Sequence, residues 1–362
     1  MYGSDKVLLH IAEGLDPDRF KAVVLLPEAG PLMDELLRRG IEVHVVRLLK
    51  VGRALFSFKG LIAFPWHLFQ SCRDISSVMQ GRKVDLVHTN TLAVLSSPVW
   101  ALFNRVPSLW HVHEILLAPS LVRTLFPLMV KLLAGSAVCN SKATQEWLIG
   151  EQPSLRSKSV VIWNGLPAGE LVSDEKIEGV RREIANLDAN TVIALVGRIN
   201  AWKGHLLLVE SAEILLSRGV TGFEIVMIGD VFKGQEHFRR ALEERIKSSR
   251  ARSHIRVLGF RDDIQVVWRA VDVAVVPSTE PEPFGMVAIE AMAAGKPVVA
   301  ANHGGLSEIV VHEETGLLFE PNSPQGMADA LESLIGNKAR QEELGRNGMA
   351  RQDALFSTAT QV

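Results

Sequence analysis

Residues 278–292 read Ser278-Thr279-Glu280-Pro281-Glu282-Pro283-Phe284-Gly285-Met286-Val287-Ala288-Ile289-Glu290-Ala291-Met292. Immediately upstream, Val273–Val276 is Val-Ala-Val-Val, a continuous apolar run of the kind found in strands buried on both faces. The quoted stretch therefore reads as an acidic, proline-rich loop leading into a helix that starts near Gly285 and runs through 286–294. Another apolar run, 298–300, follows. Strand, loop, helix, strand is the repeating unit of a parallel sheet covered by helices.

The same rhythm extends in both directions. In the second half, strands are expected at 192–196, Phe223–Ile228 and Ile255–Leu258, with helices at 205–218, 235–247 and 325–335. In the first half, strands are expected at 20–26, 41–46, 84–88, 108–113, 137–139 and 160–162. Helix-like segments at 32–39, 91–103 and 142–148 lie between them. The fold class is therefore α/β, with two doubly wound domains. A chain of 362 residues also exceeds the roughly 100–200 of one ordinary domain. The turn-rich Trp163-Asn164-Gly165-Leu166-Pro167 marks the break, giving domains 1–166 and 167–362. Ligands of open α/β sheets sit at the carboxyl ends of strands, so a cleft between the domains is the expected site.

Composition narrows the function. Hydrophobic residues make up 47% and charged residues 22%, a globular balance, and a net charge of −2 offers no field that favours nucleic acid. Two cysteines, Cys72 and Cys139, build no disulfide framework, which fits a reducing, cytoplasmic setting. No run reaches the roughly 18 apolar residues of a membrane span. Met1-Tyr2-Gly3-Ser4-Asp5-Lys6 lacks the basic and apolar regions of a signal peptide. Residues 51–69 carry Leu55, Phe56, Phe58, Leu61, Ile62, Phe64, Trp66, Leu68 and Phe69 among Arg53, Lys59 and His67. They read as a long buried helix broken at Pro65 or as a segment in peripheral contact with a membrane.

The chemistry concentrates at expected strand ends. The first amides of a helix starting at Gly285 carry the positive end of its dipole, and glycine lets a phosphate approach closely. Glu282 lies just before that start and Glu290 about two turns in, so one carboxylate can accept from sugar hydroxyls and the other from a ribose. A glycosidase acid/base pair, or a cap and a surface glutamate, are the alternatives. Val196-Gly197-Arg198-Ile199-Asn200-Ala201-Trp202-Lys203-Gly204 places Arg198 and Lys203 on a loop after a strand, where a diphosphate needs cations. Two solvated surface cations are the plainer reading, and the spacing is not that of a P-loop. Trp110-His111-Val112-His113-Glu114 puts two histidines on one strand face. Zinc is one reading, although no third ligand is near; contact with a sugar hydroxyl and a structural histidine are the others. His303-Gly304-Gly305, Gly229-Asp230, Asn140-Ser141, Thr89-Asn90 and Gly3-Ser4 are small polar strand-end pieces.

Taken together, these motifs resemble glycosyltransferase family 4, retaining enzymes of the GT-B fold, from Tyr2 to about Phe356. The E-x7-E motif from Glu282 to Glu290, within Glu-Pro-Phe-Gly and followed by Ala-Met-Ala-Ala-Gly-Lys-Pro-Val-Val-Ala, carries most of the likeness. Val-Gly-Arg-Ile with Lys203-Gly204, Gly304-Gly305 with Glu308-Ile309-Val310, Trp110–Glu114, 138–142 and 161–165 carry the rest.

The resemblance implies GT-B architecture, two Rossmann-like domains facing a central cleft. It also implies a hexose moved from a nucleotide-diphosphate sugar to a glycan or lipid-linked acceptor in cell-surface polysaccharide synthesis. Glu282, Arg198, Lys203 and His113 would be the catalytic residues. The donor site would comprise Gly3, Gly197, Arg198, Lys203, Gly229, Glu282, Phe284, Gly285, Met286, Val287 and Glu290. No cofactor and no metal are expected, the two cations supplying the charge, with the nucleotide sugar as co-substrate. The location implied is cytoplasmic, with a peripheral place at the inner membrane face. A nucleotide-sugar epimerase and a truncated, non-catalytic remnant that binds nucleotide sugar are the alternatives. Two departures stand out. The Gly3-Ser4 turn has no strand before it, so the first sheet is expected to lack a central member, implying an upstream start or a poorly stable fragment. The last helix, which in relatives crosses back to the first domain, is expected to be cut short.

Overall fold

The computed structural model describes residues 3–52, 57–167, 169, 172–185 and 190–362. Met1, Tyr2, Arg53, Leu55 and Phe56, used above, lie outside the described residues. The chain forms two compact units, Met1–Gly165 with Thr358–Val362, and Leu166–Ser357.

Unit 1 alternates helix and strand: α1 Gly3–Gly14, β1 Val23–Leu26, α2 Pro31–Arg38, β2 Glu42–Val45, α3 Phe58–Met79, β3 Val87–Thr89, α4 Ser96–Phe103, β4 Ser108–Val112, α5 Ser120–Leu133, β5 Ser136–Cys139, α6 Lys142–Glu151 and β6 Ser159–Val161. All pairings are parallel. The strands fall into two sheets, β1-β2 and β3-β4-β5-β6. Each sheet has its own core: Leu9, Val24, Leu26 and Leu36 on one side, and Trp110, Val112, Phe126, Val130 and Leu148 among others on the second.

Two sequence expectations change here. Gly3 opens α1 instead of forming a turn ahead of it. The break expected at Pro65 is absent, because α3 runs unbroken from Phe58 through Pro65 to Met79. Ser57 caps it by accepting from the Gly60 amide. Residues Thr358–Val362 belong to unit 1. After α14, the helix α15 at Thr358–Gln361 brings the Gln361 side chain to accept from the Gly165 amide at 2.8 Å.

Unit 2 holds α7 Asp174–Ile184, β7 Thr191–Val196, α8 His205–Ser217, β8 Phe223–Ile228, α9 Glu236–Lys247, β9 Ile255–Leu258, α10 Ile264–Ala270, β10 Val273–Val276, α11 Met286–Ala293, β11 Val298–Ala301, α12 Leu306–Ile309, β12 Gly316–Phe319, α13 Pro324–Leu334 and α14 Lys338–Leu355. Its six strands form one parallel sheet ordered β12-β11-β10-β7-β8-β9. Strand β7 starts the series and lies between β8 and β10, with Val273 opposite Ile193 and Ala274 opposite Ala194. Strand order therefore reverses between β7 and β10, which is where open α/β sheets bind ligands. Val192, Ile193, Ala194, Val273 and Ala274 are fully buried, as expected of strands covered by helices on both faces. Helix α7 is polar and is held by its ends: Ser173 accepts from the Lys176 amide, acidic residues fill the first turn and Arg181 and Arg182 the last.

Candidate functional site

The switch point assembles the second-half motifs. The loop after β7 carries Gly197 to Gly204, and the loop after β10 carries Ser278 to Gly285. Because β7 and β10 are neighbours, the two loops meet. Asn200 Oδ1 accepts from the Trp202 and Lys203 amides at 3.1 and 2.9 Å, turning the first loop back. The Thr279 amide then donates to the Trp202 carbonyl at 2.7 Å, joining the loops. Lys203 Nζ donates to both carboxylate oxygens of Glu282, at 2.7 and 2.9 Å. Ser278, fully buried, donates to Glu282 Oε2 at 2.7 Å. His303 Nε2 lies 2.8 Å from the Ser278 carbonyl. The Glu282 side chain is 10% exposed and that of Lys203 17%. A mostly buried charge pair is tolerated only with such saturation.

The backbone beneath is equally tight. Gly304 has φ 58°, and a Cβ on it would lie 2.4 Å from the Glu282 carbonyl oxygen. The Gly305 amide donates to that carbonyl at 2.7 Å. Gly229, at φ 147°, closes on Gly197, whose carbonyl oxygen would be 2.0 Å from an added Cβ. Gly285 precedes α11 and no side chain caps that helix, so Met286 and Val287 present the amides of its first turn. Glu290 sits in the second turn of α11, which begins at Met286. Phe284 is buried against Phe356, ring centroids 5.9 Å apart, and so anchors the loop. The Arg198 guanidinium stacks on the Phe232 ring at 3.4 Å, which orients it.

In unit 1, His113 follows β4 and its Nε2 lies 3.1 Å from Asn90 Oδ1. His88, His111 and His113 form a column, with centroid separations of 5.4 and 4.0 Å. Burial holds His88 down at about 4 and His113 at about 3, and pushes His111 well below its ordinary value. The column is thus neutral at physiological pH. Glu114 accepts from Thr91 Oγ1 at 2.6 Å and from the His113 amide at 3.1 Å, while burial raises its carboxyl. Among the described residues, no three His, Cys, Asp or Glu side chains are grouped to hold a metal ion.

The family profile described as Glycosyltransferase Family 4 matches residues 2–169, and that described as Glycosyl transferases group 1 matches residues 177–351. The chain belongs to glycosyltransferase family 4. It is 33% identical over 213 residues to an uncharacterized glycosyltransferase of Methanocaldococcus jannaschii, covering 57% of this chain and 52% of that protein. Over 194 residues it is 33% identical to the D-inositol 3-phosphate glycosyltransferase of Corynebacterium glutamicum, 52% of this chain and 46% of that protein. The chain thus spans about half the length of these curated relatives. Among solved structures, Alr3699/HepE of Anabaena, in complex with UDP and glucose, superposes with a TM-score of 0.84. The two share 26% identity, over 99% of this chain and 93% of that one.

For this family-4 chain, the sequence motifs at 197–204 and 278–290 do converge on one strand-switch point. Several partners were not assigned from sequence. Ser278 and Asn200 lay inside the quoted motifs without a role; an Asn two and three residues before the amides it accepts is a legible Asx-turn signal. Phe232 and His88 carried no local signal, since each meets its partner only through strand pairing and loop packing.

Proposed function

We propose that this chain is a retaining hexosyltransferase that takes a nucleotide-diphosphate sugar as donor and a glycan or lipid-linked molecule as acceptor. One observation carries the reading: the Lys203–Glu282–Ser278 cluster sits at the β7/β10 switch point, beside the uncapped start of α11. In this reading Glu282 accepts from hydroxyls of the donor sugar and Glu290 from the ribose. Arg198 and Lys203, with the amides at Gly285, Met286 and Val287, neutralise the leaving diphosphate, so transfer needs no metal. Gly197 and Gly229 let the donor approach the backbone, Phe284 holds the loop, and Gly3 is a further donor-binding residue. His113, neutral and oriented by Asn90, contacts the sugar near the reacting carbon.

The UDP and glucose bound to Alr3699/HepE make UDP-glucose the first donor to try. The exposed apolar stripe on α3 supports peripheral membrane contact at the inner, cytoplasmic face, in polysaccharide synthesis. The test is a panel of UDP-, GDP- and ADP-sugars, reading nucleotide release with and without candidate acceptors. Acceptor-dependent release with the anomeric configuration kept is expected. Sugar isomerisation without acceptor, or binding without turnover on every pair, would overturn the proposal.

A further inference from the structure

Unit 1 contains a cavity of about 690 Å³ that the donor reading does not use. That volume lies within the roughly 300–1,000 Å³ of small-molecule sites. Its walls are apolar: Val51, Leu92, Leu116, Leu121, Val122 and Phe126 line it, and among the described residues Glu114 is the only ionisable one along it. The Glu114 carboxylate is already engaged by Thr91 and by the amides of Leu92 and His113. A bare sugar placed here would bury hydroxyls with almost nothing to bond, which opposes entry. An alkyl or isoprenoid chain meets no such opposition, and each buried methylene strengthens its binding roughly fourfold.

The position of the cavity identifies what the chain would belong to. Glu114 directly follows His113, so one wall ends at the histidine column. Leu121, another wall residue, is 62% exposed, so the cavity reaches an apolar surface. The buried cluster that contributes Val51, Leu92 and Phe126 to the walls also receives Phe64 and Leu68 of α3. The opposite face of α3 exposes Phe58, Leu61, Ile62, Trp66 and Phe69, each at least 57% accessible. Exposed apolar stripes of this extent mark membrane or partner contact. Apolar wall, apolar rim and apolar helix are thus contiguous with one core.

We propose that the cavity receives the apolar chain of a lipid-linked acceptor whose polar head lies at the His113–Glu114 turn. The proposal rests on the glycosyltransferase reading for the word acceptor, but the binding of the chain does not. Calorimetry with dodecyl phosphate and butyl phosphate, both below their aggregation limits, tests it on the whole protein. Dodecyl phosphate is expected to bind at least about tenfold tighter than butyl phosphate. Val122→Trp, which fills the cavity, is expected to remove most of that preference while UDP binding stays unchanged. Leu121→Asp at the rim is a second variant, should the first lose its cooperative melt, and the same loss is expected. Equal binding of both phosphates, or a chain preference that survives both substitutions, would overturn the proposal. Nucleotide release with a water-soluble acceptor, measured on the same samples, reports separately on the transferase reading.

Discussion

Lys203 and Glu282 stand 79 positions apart in the chain, yet the lysine ammonium contacts both carboxylate oxygens of the glutamate, at 2.7 and 2.9 Å. The pair links the loops after two neighbouring strands.

Removing either member should expose that arrangement. Glu282→Ala and Lys203→Ala are each expected to lower kcat/KM at least about tenfold, the loss of roughly 1.4 kcal/mol from the transition state. Because the pair is mostly buried, each single change should also lower the urea midpoint, whereas Lys203→Met with Glu282→Gln together should recover part of it. Normal turnover in both alanine variants would refute the assignment.

Gly304 offers a backbone test. An added methyl would meet the Glu282 carbonyl oxygen at 2.4 Å and its amide nitrogen at 2.7 Å, in a conformation that disfavours side chains. Gly304→Ala should therefore weaken UDP binding and cost on the order of 1–3 kcal/mol of stability, read by calorimetry and by denaturation. Gly40→Ala, at a positive φ with open space around it, is the control for conformation alone.

The histidine column predicts a pH response. Folding lowers His88 to about 4 and His113 to about 3, so between those values and about 6.5 the unfolded chain binds more protons. Stability then rises with pH across that window and is fully present above it. Urea midpoints should fall as pH drops from 6.5 to 5, and His88→Phe should flatten the slope. A midpoint unchanged over that range would contradict the burial of the column.

Metal removal gives another prediction. With Arg198 and Lys203 supplying charge to the diphosphate, transfer is expected at full rate in EDTA, followed by nucleotide release. A divalent requirement would return attention to His111 and His113.

The exposed stripe of α3 predicts an interface. Co-sedimentation with vesicles containing anionic lipid is expected for the unaltered chain and should be lost in a Trp66→Glu, Phe69→Glu variant. Both side chains are exposed, their rings stacked at 5.9 Å, so circular dichroism should show the fold intact.

Element order was legible from local pattern. Val-Ala-Val-Val before a proline-rich loop, and its counterparts throughout the chain, marked strands buried on both faces, because period and composition report burial residue by residue. The stretch 278–292 pointed to the strand-switch point for the same reason: a helix start, glycine and carboxylates are neighbours in sequence. What local pattern misread was partnership across space. It left 51–69 open between a buried helix broken at Pro65 and a segment in membrane contact, whereas α3 passes unbroken through Pro65 and leaves Phe58, Leu61, Ile62, Trp66 and Phe69 exposed. An apolar stripe looks the same in sequence whether another element covers it or not. It assigned Lys203 to phosphate and Glu282 to sugar separately, and missed that they bind each other. That contact exists only because β10 pairs beside β7 and not beside β9, a choice made by packing the whole sheet, which no window of sequence contains.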